Sequence, residues 1–502
     1  VTKNKKSDVV DILLWLASLA PTRLTGTPDE KRVQEAIAAR LSPLGYRTDW
    51  QPFRFPRHIY GSLALHFGLA LVFAAIGLRA PWVAAAGHVL CAASFVSEAA
   101  FRQHFLRALW PKVSTQNLLV TKPARSGVVK KRVVLAAHVD SAFTGVMFEP
   151  AMVKLIAAPP PSFLPFLQKQ LALPLACVLL LAAYEVSRFF VPQLPAWPLA
   201  VLCIPPTLVF VLNADVVLRN RVVPGAADNL TGCAAQIVLA EEWAELESDD
   251  TEIVFAFTGA EEAGTGGAAH LARTMSAVWE RDKTVVLVLD TLSNGTLFML
   301  EEGELRRRQI PADLAAAVRT AALDIGALPP APYVIPAGAT DALPFLVEGY
   351  RAIALTCIDP ELHAPRNYHH PNDTAERVDP MQLRESMRLA TSLLGTLAPS
   401  YHAGAGAKDH GVQLEAGLHQ GQLGMPKVDL DLAAAAFESN GKGAVERAFT
   451  PELLGGRALL GGEGDARHAT QALVGLQGAE LLDGIRDGVA IDPRAKADAG
   501  GA

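Results

Sequence analysis

The chain has 502 residues, half of them hydrophobic and only 19% charged, with a mean hydropathy of +0.23. That excludes a disordered polyelectrolyte, and a net charge of −6 leaves no global basic surface for nucleic acid. Five Cys, an odd number without close pairing, exclude a disulfide scaffold and fit a reducing compartment.

Val1–Ser7 is basic but leads into an amphipathic stretch from Asp8 to Leu16, without an uninterrupted apolar run or a cleavage site, so a soluble helix is expected rather than a signal peptide. The Pro/Gly/Thr content of Pro21–Pro28 predicts a loop, and a second amphipathic helix follows over Asp29–Ser42. Ile59–Leu78 and Pro81–Ala100 are then two apolar runs of membrane-spanning length, separated by Arg79-Ala80. Leu171–Val191 and Leu194–Val211 form a second candidate pair, interrupted by Glu185, Arg188 and several Pro that a membrane helix can tolerate. Basic residues gather at the bases, among them Arg54, Arg57, Arg102, Arg107, Lys154 and Arg219; the two tips hold only Arg79 and Arg188. Under the positive-inside rule this places everything outside the hairpins in the cytoplasm, as at a bacterial-type inner membrane. His66, His88 and Glu98 lie within the first pair and are assigned no role.

Between and after the hairpins, strands alternate with helices. Arg132–Ala137 is a short β-branched run ending on His138-Val139-Asp140. Glu252–Phe257 ends on Thr258-Gly259-Ala260-Glu261-Glu262, and Thr284–Leu289 ends on Asp290. Continuous apolar runs of this kind suit central strands covered on both faces, so an α/β layered fold is expected. A helix is predicted over Leu230–Leu246, preceded by the capping types Asp228-Asn229. A further strand, Ala352–Cys357, precedes the loop Tyr368-His369-His370-Pro371-Asn372-Asp373-Thr374. Functional groups in such sheets collect at the carboxyl ends of strands, and here that edge offers two imidazoles and at least three carboxylates. Mixed His and carboxylate ligands without thiolate suit catalytic zinc. Cys233 and Cys357 sit in apolar settings and read as core.

These segments resemble peptidase family M28, the di-zinc metallopeptidases of aminopeptidase-like fold. The resemblance rests on Ala137–Ser141, Pro224–Gly232, Gly259–Gly264, Leu289-Asp290 and His369–Thr374, in the family's order. The loop Thr25–Pro28 and the segment Thr340–Phe345 also look like family features, and the resemblance covers roughly residues 8–58, 113–150 and 217–400. It implies a mixed, mostly parallel sheet sandwiched by helices, binding two Zn2+ and acting on peptides. Asp228 would bridge the metals, His138 and Asp290 would complete one site, and Glu262 and His369 the other. Glu261 would be the general base, and Asp140 would orient the His138 imidazole. His370 is the alternative to His369. Ala342 stands where related members often carry His, which alters the pocket and removes no ligand.

The expected organisation is a discontinuous peptidase domain over 1–58, 102–160 and 217–400. Hairpins at 59–101 and 161–216 interrupt it, and a Gly/Ala-rich tail follows over 401–502. The expected partners are a peptide substrate and the lipid bilayer, and the expected function is a membrane-anchored zinc aminopeptidase. The alternatives are an inactive membrane scaffold or receptor, a mono-zinc glutaminyl-cyclase-like enzyme and, more weakly, a transporter. A serine hydrolase is disfavoured, since no Gly-x-Ser-x-Gly elbow occurs.

Overall fold

A computed structural model describes residues 7–160 and 168–403. Asp8 opens helix α1 (Val9–Leu19) by accepting a hydrogen bond from the Val10 amide at 3.0 Å. Thr27 caps α2 (Pro28–Leu41), whose Pro28 occupies the first turn, where its missing N–H costs nothing. Strand β1 (Arg47–Pro56) leads to helices α3 (Ile59–Gly77) and α4 (Pro81–Phe101), and the chain returns as β2 (Lys112–Lys122) and β3 (Lys131–His138). The short strand β4 (Phe143–Thr144) and α5 (Pro150–Ala157) precede the second apolar pair: α6 (Ala172–Phe190), then α7 (Trp197–Leu202) and α8 (Ile204–Arg219). Beyond it run β5 (Arg221–Val222), α9 (Thr231–Glu242), β6 (Leu246–Glu247), β7 (Thr251–Thr258), α10 (Gly266–Thr274) and β8 (Thr284–Leu289). The last described elements are β9 (Thr296–Glu301), α11 (Ala312–Asp324), β10 (Pro332–Val334), α12 (Ala342–Val347), β11 (Arg351–Ile358), α13 (Pro380–Leu397) and β12 (His402–Ala403).

Eight strands form one sheet in the order β1-β2-β7-β3-β8-β11-β9-β10. Its centre, β7-β3-β8-β11, is parallel, and antiparallel pairs flank it on either side. Alternate residues serve opposite cores. Val133, Leu135 and Ala137 pack with α1, α2, α9, α11 and α13, whereas Val134 and Ala136 pack with α10 and α12. Burial on both faces explains why these strands read as unbroken apolar runs. Because the central strands are parallel, His138, Thr258, Leu289 and Ile358 all end at one edge.

α3, α4, α6 and the α7–α8 run are long and apolar enough to cross a membrane. Their polarity is inverted relative to a soluble bundle. Val72, Trp82, Leu90 and Phe190 are exposed, while Ser62, His66, His88, Ser94 and Glu98 are buried. His66 Nε2 meets Ser94 Oγ at 2.9 Å, His88 Nε2 meets the Ala70 carbonyl at 2.9 Å, and Ser62 donates to Glu98 at 2.9 Å. Each of the three polar groups that sequence left without a role thus has a partner within the hairpin, and Glu98 also pairs with Arg107.

Three of the expected segments have different bounds. The fourth span starts at Trp197, is interrupted at Cys203 ahead of Pro205-Pro206, and runs on to Arg219 rather than ending at Val211. Its extension is held on the catalytic side, where Asp215 accepts the Val146 amide at 2.7 Å and Val216 is fully buried. The expected helix at Leu230 begins at Thr231 and stops at Glu242, because a non-helical turn over Ala226–Leu230 precedes it. The tail expected from 401 starts later: Tyr401 is buried and β12 pairs with β6. From residue 404 onward it lies outside the described residues, as do 161–167 of the second expected hairpin.

Candidate metal centre

The site assembles at the carboxyl edge of the sheet. His138 is the last residue of β3, Glu261 and Glu262 lie just past β7, and Asp290 follows β8. Asp228 comes from the turn before α9, and His369 from the loop after β11. Chain connectivity alone separates these residues; the parallel register brings them together.

The Asp228 carboxylate faces two imidazoles. Its Oδ1 lies 3.1 Å from His138 Nε2, and its Oδ2 lies 3.5 Å from His369 Nε2. His138 Nε2 also has Asp290 Oδ1 at 4.0 Å and Glu261 Oε2 at 3.9 Å, while His369 Nε2 has Glu262 Oε2 at 3.1 Å. His138–Asp228–Asp290 and Asp228–Glu262–His369 therefore form two compact triads sharing Asp228, every ligand atom within 4.8 Å of the others in its group. His138–Glu261–Glu262 forms a third grouping by the same measure. His370 lies outside all three; its Nε2 is 3.7 Å from Glu149 and its Nδ1 accepts the Asn372 amide.

Supporting contacts fix the ligand loops. Asn229, not Asp228, does the capping work: its Oδ1 accepts the Gly232 and Thr291 amides, and its Nδ2 donates to the Leu289 carbonyl. This pins the Asp228 turn to the end of β8. Asp373 accepts the Ala227 amide at 2.8 Å and the Asp228 amide at 3.1 Å. Asp140 accepts the Glu261 and Glu262 amides at 3.0 and 3.2 Å and the Thr25 hydroxyl at 2.7 Å. Its carboxylate stands 3.6 Å from His138 Nδ1, which is closer to the Asp140 main-chain carbonyl, at 3.1 Å. Asp140 thus positions the glutamate pair at least as directly as the imidazole. Arg23, fully buried, donates to the Val139, Pro224 and Gly225 carbonyls and ties together the two loops that precede and follow the second hairpin.

Arg23 and Tyr60, which reaches His369 Nδ1 at 2.9 Å, escaped the sequence reading. Arg23 stands in a Thr/Pro/Gly loop with no periodicity, and Tyr60 looks like any aromatic at a membrane boundary.

Electrostatically the cluster is short of positive charge. Burial pushes the Glu261 carboxyl well above the usual range, and burial together with Asp228 pushes Asp290 up to about 7. Burial also raises Glu262, and it carries Asp373 to about 7. For Asp228, burial is outweighed by the bonds to His138 and His369, which hold its carboxyl below the ordinary value. His369 shows the converse: Glu262 and Asp228 overcome desolvation and lift the imidazole to about 10. Glu262 Oε1 is buried without a hydrogen-bond partner. Carboxylates crowded in low dielectric, an orphaned oxygen and two converging Nε2 atoms fit a divalent cation that takes nitrogen and oxygen ligands.

Residues 210–394 match the model of peptidase family M28. Over this segment the chain is similar to peptidase family M28. The matched segment holds Asp228, Glu261, Glu262, Asp290 and His369; His138 and Asp140 reach the site from outside it, through β3. No curated protein matches the chain in sequence. Among solved structures, the zinc aminopeptidase BSAP from Bacillus subtilis is similar at 15% identity and a TM-score of 0.47, covering 79% of this chain and 96% of its own. A Zn-dependent exopeptidase from Parabacteroides distasonis gives 15% and 0.45, covering 79% and 100%. A glutaminyl cyclase from Bacteroides thetaiotaomicron gives 12% and 0.46, covering 78% and 98%.

Proposed function

We propose that the chain is a membrane-anchored zinc aminopeptidase that hydrolyses peptides at a two-zinc centre. The observation that carries this reading is the Asp228 carboxylate, each of whose oxygens faces a different imidazole backed by its own acid. His138, Asp228 and Asp290 would hold one ion, and Asp228, Glu262 and His369 the other. Zinc, when bound, supplies Lewis acidity that polarises a scissile carbonyl and acidifies water.

The chain's own groups supply the rest. Glu261 carries the proton at its carboxylate, taking it from the attacking water and delivering it to the leaving amine nitrogen. Such transfer is worth about 10²–10⁴-fold. A buried carboxyl with a raised pKa suits that task, since it can hold the proton between the two steps. Asp140, through the two glutamate amides, keeps Glu261 beside the site while its neighbour Glu262 turns to His369. The inverted polarity of the hairpins supports anchoring in a bilayer, and their basic bases support a cytoplasmic catalytic domain.

The test is zinc content and peptide hydrolysis of the purified full chain and of Glu261→Gln. Two zinc ions retained with hydrolysis lowered about 10²–10⁴-fold is the expected result. Unchanged hydrolysis by a zinc-loaded Glu261→Gln variant would falsify the assignment of the base. A single zinc in the unaltered chain would favour the cyclase-like alternative.

A further inference from the structure

The first turn of α3 enters the metal centre. Tyr60, the second residue of that helix, is buried, and its hydroxyl lies 2.9 Å from His369 Nδ1. The opposite ring nitrogen, Nε2, is the atom turned toward Glu262 and Asp228. An imidazole that binds metal through Nε2 carries its proton on Nδ1, and the group accepting that proton fixes the tautomer and the ring plane. For His138 this acceptor is the Asp140 main-chain carbonyl. For His369, among the described residues, it is Tyr60.

The surroundings reinforce the contact. Phe148 stacks at a tilt 4.7 Å from the His369 ring, and the Tyr60 ring meets Phe148 edge-on at 5.8 Å. Val216, on the last span of the second hairpin, is buried in the same apolar cluster. Both hairpins therefore contribute to a dry wall around this imidazole, where a hydrogen bond is stronger than in water.

We propose that Tyr60 is a positioning residue of the metal centre: its hydroxyl oxygen accepts the His369 Nδ1 proton and holds Nε2 ready for zinc, so that the membrane hairpin is a working part of the site. This rests on His369 being a zinc ligand. Among the described residues no other group meets His369 Nδ1, so the second zinc would be bound only as well as the hairpin is seated.

The experiment compares the detergent-solubilised full chain with Tyr60→Phe, which deletes one oxygen and keeps the ring against Phe148. Zinc retained per chain is measured across a chelator series, beside thermal unfolding of the metal-stripped proteins. The expected result is that one of two zinc ions becomes about 10–100-fold easier to remove, with unfolding of the stripped protein unchanged. Equal retention of both ions by the variant overturns the proposal and leaves the peptidase reading standing. Parallel loss of both ions with a less stable stripped protein also overturns it, since the hydroxyl would then be serving the fold. An unaltered chain that binds no zinc overturns both readings, and shows this before any variant is made.

Discussion

The two ligand triads share Asp228 but are supported in different ways. His138 and Asp290 extend from the ends of adjacent central strands, β3 and β8, whose pairing is buried on both faces. His369 lies in a long loop with a left-handed backbone (φ 49°), held by Tyr60 and by the ring contacts of Phe148 and Tyr368. One triad is thus set by the sheet, the other by a loop leaning on an apolar hairpin. If both triads hold metal, one half of the centre rests on the sheet and the other on the contact with Tyr60.

The strongest test of that contrast removes what the halves share. Asp228→Ala is expected to empty both triads, lowering zinc affinity by more than the roughly 10–100-fold seen when an outer partner is lost; elemental analysis of the purified chain checks it. Asp290→Ala and Glu262→Ala should each cost one ion, and loss of both from either variant would show that the triads do not bind separately. Next comes the hairpin half. Arg107 pairs with Glu98 at 3.0 Å, both buried, and reaches the Pro56 carbonyl. Arg107→Met leaves Glu98 uncompensated and should destabilise by about 3–5 kcal/mol, with Glu98→Gln restoring much of it; unfolding in detergent of the single and double variants reads this directly.

The smallest effect sharpens the sheet half. Glu30, buried beneath the Gly259 turn, accepts from the Gly26 amide and the Thr115 hydroxyl. Burial, with Asp140 nearby, pushes its carboxyl from 4.5 up to about 8. A raised folded-state value means a contribution present below the unfolded value and lost as pH climbs through the folded one. Glu30→Gln should therefore gain in melting temperature relative to the unaltered chain between about pH 5 and pH 8. A difference that does not vary with pH would show that the Glu30 carboxyl is not raised on folding.

Much of the sheet edge was legible because burial on both faces leaves a plain mark, as in Val133–Ala137 and Val285–Leu289, with a potential ligand at each end. The hairpins were legible because span length is a sharp physical requirement. What escaped is what no local window contains. Tyr60 and His369 are 309 positions apart, and Arg23 meets carbonyls 116 to 202 residues away. Of the capping types at Asp228-Asn229, Asn229 alone accepts a helix amide, while Asp228, given a metal role by the family resemblance, faces the two imidazoles. The extension of α8 to Arg219 escaped because Asn213 and Asp215 look like an exit from lipid, although Asp215 is engaged by the Val146 amide.

Each apolar pair departs and returns between strands that are themselves partners. Pro56 lies opposite Lys112 across β1 and β2, and Phe143 lies opposite Val222 across β4 and β5. A chain made from its N-terminus cannot zip β1 to β2 until both intervening helices have been synthesised and have turned back. In a bilayer, a helix that failed to return would strand the two halves of the pair on opposite sides. Were the pair inserted in a bilayer, the β1–β2 ladder could close only after an even number of crossings.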